Sequence, residues 1–79
     1  MSLYDKIDLL IMQAIKAGKN EFYKILRTEA VYEEFLRMEQ ETGRLRERTL
    51  DARLQALKRR GLIEFVRPFG WRVANGVEV

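Results

Sequence analysis

The sequence predicts a mainly α fold that ends in a small β-hairpin, an α+β architecture, within one domain spanning residues 1–79. Apolar residues recur at helical spacing over three long stretches, and a glycine follows each stretch, at Gly18, Gly43 and Gly61. After the last glycine, two short apolar runs flank the sequence Arg-Pro-Phe-Gly, which favours a tight turn. Helices are therefore expected first and the hairpin last.

The first helix is predicted over about residues 3–17, with Ser2 as its N-cap. One predicted face carries most of its apolar residues, which are Leu3, Ile7, Leu10, Ile11, Ala14 and Ile15. The opposite face carries Leu9 and Met12. These two are either isolated surface residues, which are common, or contacts with a second subunit or with a further domain.

A short second helix is predicted over about residues 20–27, with Asn20 as its cap, although so brief an apolar run also fits an extended segment. The third helix is predicted over about residues 29–42. Its carboxylates alternate with Arg37 and are interpreted as a solvated face, in which Glu33 stands at the favourable i,i+4 spacing from that arginine.

The fourth helix is predicted over about residues 47–60, after a linker whose Leu45 is expected to reach the core. At 100° per residue, Leu50, Leu54 and Leu57 share one stripe that faces the core. The opposite face combines cations, an amide and small residues: Arg48, Thr49, Ala52, Gln55, Ala56 and Arg59. Arginine pairs with phosphates or guanine edges, glutamine bonds adenine, and alanine lets a helix approach a groove closely. This face predicts a groove-reading helix.

The hairpin is predicted from strands at about residues 62–66 and 71–74. Arg67 and Arg72 flank its turn, in which a proline restricts the backbone, so two cations are expected at fixed positions. Phe69 at the tip is expected either to fold back or to be offered to a partner.

The charge of the chain is unevenly distributed. Residues 43–72 contain nine Arg/Lys and three Asp/Glu, a net charge of +6, whereas residues 1–42 carry a net charge of −2. The positive charge therefore lies on the fourth helix, the turn before it and the hairpin after it. This asymmetry indicates an oriented surface for a polyanion such as nucleic acid.

Composition excludes several classes of function. The chain has no cysteine and no histidine, which excludes disulfides, thiol chemistry and the usual zinc ligands, so no metal site and no cofactor are expected. It has no Gly-rich phosphate loop and one serine, at position 2, so an enzyme is not expected. No apolar run approaches the ~20 residues of a membrane span, and residues 1–4 lack the features of a signal peptide. The predicted location is cytoplasmic: intracellular and associated with the nucleoid.

The motif T-L-x-x-x-L-x-x-L-x-x-x-G-L-I, from Thr49 to Ile63, resembles the recognition-helix signature of winged helix-turn-helix proteins. Within that superfamily, the segments LYDKIDLLIMQAI, TEAVYEEFLRMEQETG and RTLDARLQALKRRGLI look most like the C-terminal winged-helix domain of archaeal origin-recognition initiator proteins. PadR-like and small archaeal or viral winged-helix regulators share the same helix pattern. The resemblance implies that helix 47–60 enters the major groove of double-stranded DNA and that the wing, 62–74, lies on the backbone or minor groove.

The predicted DNA contacts are Arg44, Arg46, Arg48, Thr49, Ala52, Gln55, Arg59, Arg67 and Arg72. Among them, Gln55 and Arg59 are expected to read bases, while Thr49, Arg44 and Arg46 grip phosphates. The role would be transcription regulation or replication-origin binding. A winged helix used as a protein-interaction module is the alternative, since a fold does not decide function.

A two-fold homodimer is also expected, with Leu9 and Met12 of the first helix at the contact. The half-sites of such a pair on DNA would lie about 34–36 Å apart.

Overall fold

The computed structural model describes residues 3–79, and within them four helices precede a two-stranded antiparallel hairpin. The elements are α1 (Asp5–Lys16), α2 (Phe22–Leu26), α3 (Glu29–Thr42), α4 (Arg46–Arg59), β1 (Ile63–Val66) and β2 (Gly70–Val73). The predicted α+β class is confirmed, and each predicted boundary lies within two residues of the observed one. The predicted cap Ser2 lies outside the described residues, and Tyr4 occupies the N-cap position of α1.

Gly61 ends α4 and directs the chain into β1. Its φ of 76° is in the left-handed region, which a residue without Cβ adopts readily. The Gly61 N–H donates to the Lys58 carbonyl at 2.9 Å and the Leu62 N–H donates to the Leu57 carbonyl at 3.1 Å, which is the Schellman pattern. The hairpin therefore follows the helix after a fixed reversal.

The core lies between the helices and the first strand. Its largest fully buried side chains are Phe35, Ile7, Ile11, Ile25, Leu50, Leu54, Leu57, Ile63 and Val31. Each helix therefore turns its apolar stripe inward, as the periodicity predicts. This packing holds α4 with the face opposite its leucines directed outward.

Three predictions about apolar side chains are wrong. Met12 is 7% exposed and belongs to the core, so it does not lie on a free back face of α1. Leu3 and Leu45, both expected to point inward, are 57% and 60% exposed. Leu9 was also placed on the back face of α1, and this prediction is confirmed, because its side chain is exposed.

Asn20 attaches the hairpin to the helical layer and does not cap α2, whose N-cap position belongs to Glu21. The Trp71 N–H donates to the Asn20 carbonyl at 2.8 Å, and the Asn20 side-chain amide donates to the Phe69 carbonyl. Gly70 stands between these two bonds at φ 98°, where a Cβ would collide with the Asn20 carbonyl oxygen. The turn is thus clamped to the loop between α1 and α2.

The hairpin register pairs Ile63 with Val73 and Val66 with Gly70, leaving residues 67–69 as the turn. The peptide bond between Arg67 and Pro68 in this turn is cis.

Candidate nucleic-acid interface

The start of α4 is fixed by Glu39 of α3. One carboxylate oxygen of Glu39 accepts the Arg46 backbone N–H at 2.8 Å, and the other accepts the Arg46 guanidinium at 2.9 Å. The same guanidinium lies 5.0 Å from the centre of the Tyr32 ring. This carboxylate therefore satisfies one of the open N–H groups of the helix start. Arg46, predicted to grip a phosphate, already has two partners inside the protein.

A second ion pair fixes α4 against α1. Arg53 donates two hydrogen bonds, 2.8 and 2.7 Å long, to the two carboxylate oxygens of Asp8. The side chains of Asp8 and Arg53 are only 11% and 18% exposed, and the Arg53 guanidinium lies over the Tyr4 ring at 4.5 Å. Hydrogen bonding to Asp8 raises the pKa of Arg53 above its ordinary value. Such a bidentate pair sets the rotation of α4 about its axis.

This ion pair was not predicted, although the sequence contains a signal for it. Asp8 falls on the arc of α1 that carries Ile7, Ile11 and Ile15. A carboxylate on a buried stripe needs a partner, because an unpaired charge is costly away from water. The fold supplies Arg53 as that partner.

The arginines on the outer face of α4 differ from Arg46 and Arg53 in having no carboxylate partner. Arg48 and Arg59 are exposed, and no carboxylate among residues 3–79 pairs with either of them. Gln55 is half-buried between them, and within the described chain its amide makes no hydrogen bond. Ala52 is exposed on the same face and carries no side chain beyond a methyl group. This surface therefore offers two free guanidinium groups and one free amide on a rigid helix.

Thr49 lies at the edge of that face and is half-buried. Its hydroxyl donates to the Leu45 carbonyl at 3.2 Å. The hydroxyl proton is thus used within the helix, and the predicted phosphate contact of Thr49 would need this bond to break.

A groove of about 520 Å³ adjoins the outer face of α4 and opens beside the start of α1. It is lined by Tyr4, Gly43, Arg44, Leu45, Arg48, Thr49, Ala52 and Arg53. The Arg44 guanidinium donates to the Tyr4 hydroxyl at 3.1 Å, which positions it on the groove wall. Arg44 and Arg48, which no carboxylate of residues 3–79 pairs with, lie along this concavity and suit the curved, negatively charged backbone of a nucleic acid.

The two hairpin arginines differ in their surroundings. Arg67 in the turn is exposed, and no acceptor among residues 3–79 holds it. Arg72 on β2 donates to Glu64 on β1 and lines a separate groove of about 310 Å³ beside Ile15 and Gly18 at the end of α1. The structure thus brings Arg44, Arg48, Thr49 and Ala52 together on the α4 groove and places Arg72 on another groove.

No protein-family model, no curated protein and no solved structure matches this chain. Among residues 3–79, no helix is long and apolar enough to cross a membrane, and no cluster of acidic residues, histidines or cysteines could hold a metal ion.

Proposed function

We propose that the chain binds double-stranded DNA as a winged helix-turn-helix domain, in which α3 and α4 form the helix-turn-helix and β1–β2 forms the wing. One observation carries the proposal: the outer face of α4 keeps Arg48 and Arg59 unpaired within the described residues, whereas Arg46 and Arg53 on the same helix are held by carboxylates. Unpaired cations on one face of a helix beside a basic groove are suited to phosphates and base edges.

In this proposal, α4 enters the major groove with Gln55 and Arg59 toward the base edges. Ala52 permits close approach of the helix, and Arg48 contacts phosphates together with Arg44 on the groove wall. The hairpin lies over the neighbouring backbone or minor groove, where Arg67 meets the negative potential of the DNA. The biological role is transcription regulation or replication-origin binding, and the genomic position of the bound sites distinguishes the two.

Selection of bound sequences from a random duplex library tests the proposal. We expect wild-type protein to enrich a short common sequence. The double variant Arg48→Ala/Arg59→Ala should lose this enrichment. Arg27→Ala is the control, since it also removes one positive charge per substituted site. Arg27 is exposed at the end of α2 and lies outside the proposed surface. Absence of any duplex binding by the folded wild-type protein at low salt would overturn the proposal.

A protein-interaction module is the second candidate, and a specific feature favours it. A groove of about 540 Å³ between the hairpin and α2 has four aromatic residues in its lining, Phe22, Phe65, Phe69 and Trp71, beside Asn20, Glu21, Lys24, Pro68 and Gly70. Aromatic residues are enriched at protein interfaces. Under this function, Phe69→Ala would abolish the protein contact and leave DNA affinity unchanged, whereas Arg48→Ala would not affect the contact.

The proposed two-fold dimer now depends on Leu9 alone, because Met12 is in the core. Leu9 is 50% exposed on α1. If it lies at a dimer contact, Leu9→Lys should shift the sedimentation equilibrium from dimer to monomer. A wild-type protein that sediments as a monomer, both alone and on DNA, would contradict the dimer.

A further inference from the structure

Phe69 has the most exposed large apolar side chain of the described residues, at 71%. It occupies the turn of the hairpin, next to Arg67 and Pro68. A phenyl ring in water gains no burial energy for the fold, so its position there is not explained by stability.

The backbone that carries this ring is held on both sides. Asn20 accepts the Trp71 N–H at 2.8 Å and donates its side-chain amide to the Phe69 carbonyl. Gly70 between them packs directly on the Asn20 carbonyl, with no room for a side chain. Next to the Val66–Gly70 pair that closes the turn, Phe65 and Trp71 pack edge to face with their ring centres 5.2 Å apart. The ring is therefore presented by a supported turn and not by a free loop.

We infer that Phe69 is a wedge that enters between two stacked base pairs of duplex DNA from the minor groove and bends the duplex. The inference rests on the proposed function and identifies how the hairpin engages DNA. Apolar side chains inserted in this way unstack a base step and kink the helix. Arg67 stands beside the ring as an unpaired cation within the described chain, and the narrow minor groove attracts such a charge.

A wedge works only if it cannot fold back when it meets the stack. The clamp by Asn20 satisfies this requirement, because the turn loses little conformational freedom on binding. Unstacking costs least at pyrimidine–purine steps such as TA and CA. The wedge should therefore add a preference for flexible steps beneath the hairpin, independent of the bases read by α4.

The test uses a short duplex that carries a fluorescence energy-transfer pair at its ends and 2-aminopurine at its TA steps. Wild-type protein should shorten the end-to-end distance, as for a bend of about 20–90°, and raise 2-aminopurine emission through unstacking. Phe69→Ala should bind with both signals lost, and Phe69→Leu should retain them because leucine is also an apolar wedge. Tyr23→Ala is the matched control, since Tyr23 is 61% exposed on α2 and lines neither of the two grooves beside Phe69.

The outcomes separate the wedge from DNA binding itself. Binding by wild-type protein without a change in either signal would overturn the wedge and leave the proposed function in place. Equal signals from Phe69→Ala and wild type would do the same. Failure of wild-type protein to bind any duplex would overturn the proposed function and the wedge together.

Discussion

Arginines lie on two sides of α4, and they differ in whether a carboxylate pairs with them. On the inner edge, Arg53 is gripped by Asp8 and lies over the Tyr4 ring. On the outer face, Arg48 and Arg59 extend into solvent and no carboxylate of the described chain pairs with them. The inner arginine orients the helix, and the outer arginines are available to a partner. Availability of the guanidinium, and not the number of arginines, therefore defines the proposed binding surface.

Removing Asp8 should produce the largest effect on stability. Asp8→Ala leaves the Arg53 guanidinium largely buried without its carboxylate, which should lower the free energy of unfolding by about 3 kcal/mol. Arg48→Ala on the outer face should change it by less than about 0.5 kcal/mol. Urea denaturation of the two variants beside wild type measures the contrast. Equal losses for both substitutions would show that the inner and outer arginines do not differ.

A double-mutant cycle sharpens this result. Asp8→Ala combined with Arg53→Met should recover part of the stability lost by Asp8→Ala alone, because the buried charge is removed and an apolar side chain replaces it. Simple additivity of the two changes would mean that the pair contributes no coupling.

The helices and the hairpin were predictable because each has a local signature. Periodic leucines and isoleucines define the buried faces, and glycines such as Gly61 stop the helices in the conformation that residue favours. Met12 was misassigned because helical spacing places it at the margin of the buried arc. Whether a marginal residue is covered depends on which element packs beside it, and one helix does not contain that information.

Loss of a base contact should give the next largest effect, in this case on the free energy of DNA binding. Gln55→Ala should relax the preference at one base pair and cost about 1–3 kcal/mol on the preferred site, because in the proposed complex only the outer face of α4 meets base edges. Competition binding with single-base variants of the selected site measures it. A uniform loss of affinity on all duplexes would assign Gln55 to backbone contact or to helix packing.

The candidate site was only partly predictable. Helical geometry was sufficient to place Arg48, Gln55 and Arg59 on one face. It could not indicate that Glu39 and Glu64 occupy two of the predicted phosphate contacts, since these partners come from another helix and from the facing strand. Ion pairing between elements is set by tertiary packing, so the number of free cations is smaller than the number of arginines on the predicted surface.

The salt dependence of DNA affinity should reflect how many arginines are free to contact phosphates. Six arginines on phosphates, including Arg46 and Arg72, would give a slope of log K against log salt of about −5.4, from about −0.9 for each phosphate. Carboxylates hold Arg46 and Arg72. The four arginines without a carboxylate partner, which are Arg44, Arg48, Arg59 and Arg67, then give a slope of about −3.6. Arg67→Ala should flatten the slope by about 0.9, and Arg72→Ala by less. Anisotropy titrations over a salt series measure the slopes, and equal flattening by both substitutions would contradict the distinction.

The smallest effect concerns a buried carboxylate away from α4. Glu34 of α3 has a side chain only 5% exposed, in ion pairs with Arg37 and with Lys6 of α1. Hydrogen bonds from Arg37 hold the pKa of Glu34 below its ordinary value of 4.5, against the opposing effect of burial. The pairing predicted from spacing, Glu33 with Arg37, is not formed, and Arg37 binds Glu34 and Glu41.

A carboxylate whose pKa is lowered by folding stabilises the folded state at any pH above its ordinary pKa. This stabilisation is lost as the pH falls through the lower pKa of the folded state. The free energy of unfolding should therefore decline with acidification below about pH 4.5. Glu34→Gln should make that decline shallower, because the titrating group is gone, whereas Glu33→Gln on the exposed face of the same helix should leave it unchanged. Thermal unfolding of the three proteins across this pH range measures the slopes. Identical acid slopes for wild type and Glu34→Gln would mean that Glu34 gains no more from its partners in the folded state than in the unfolded chain.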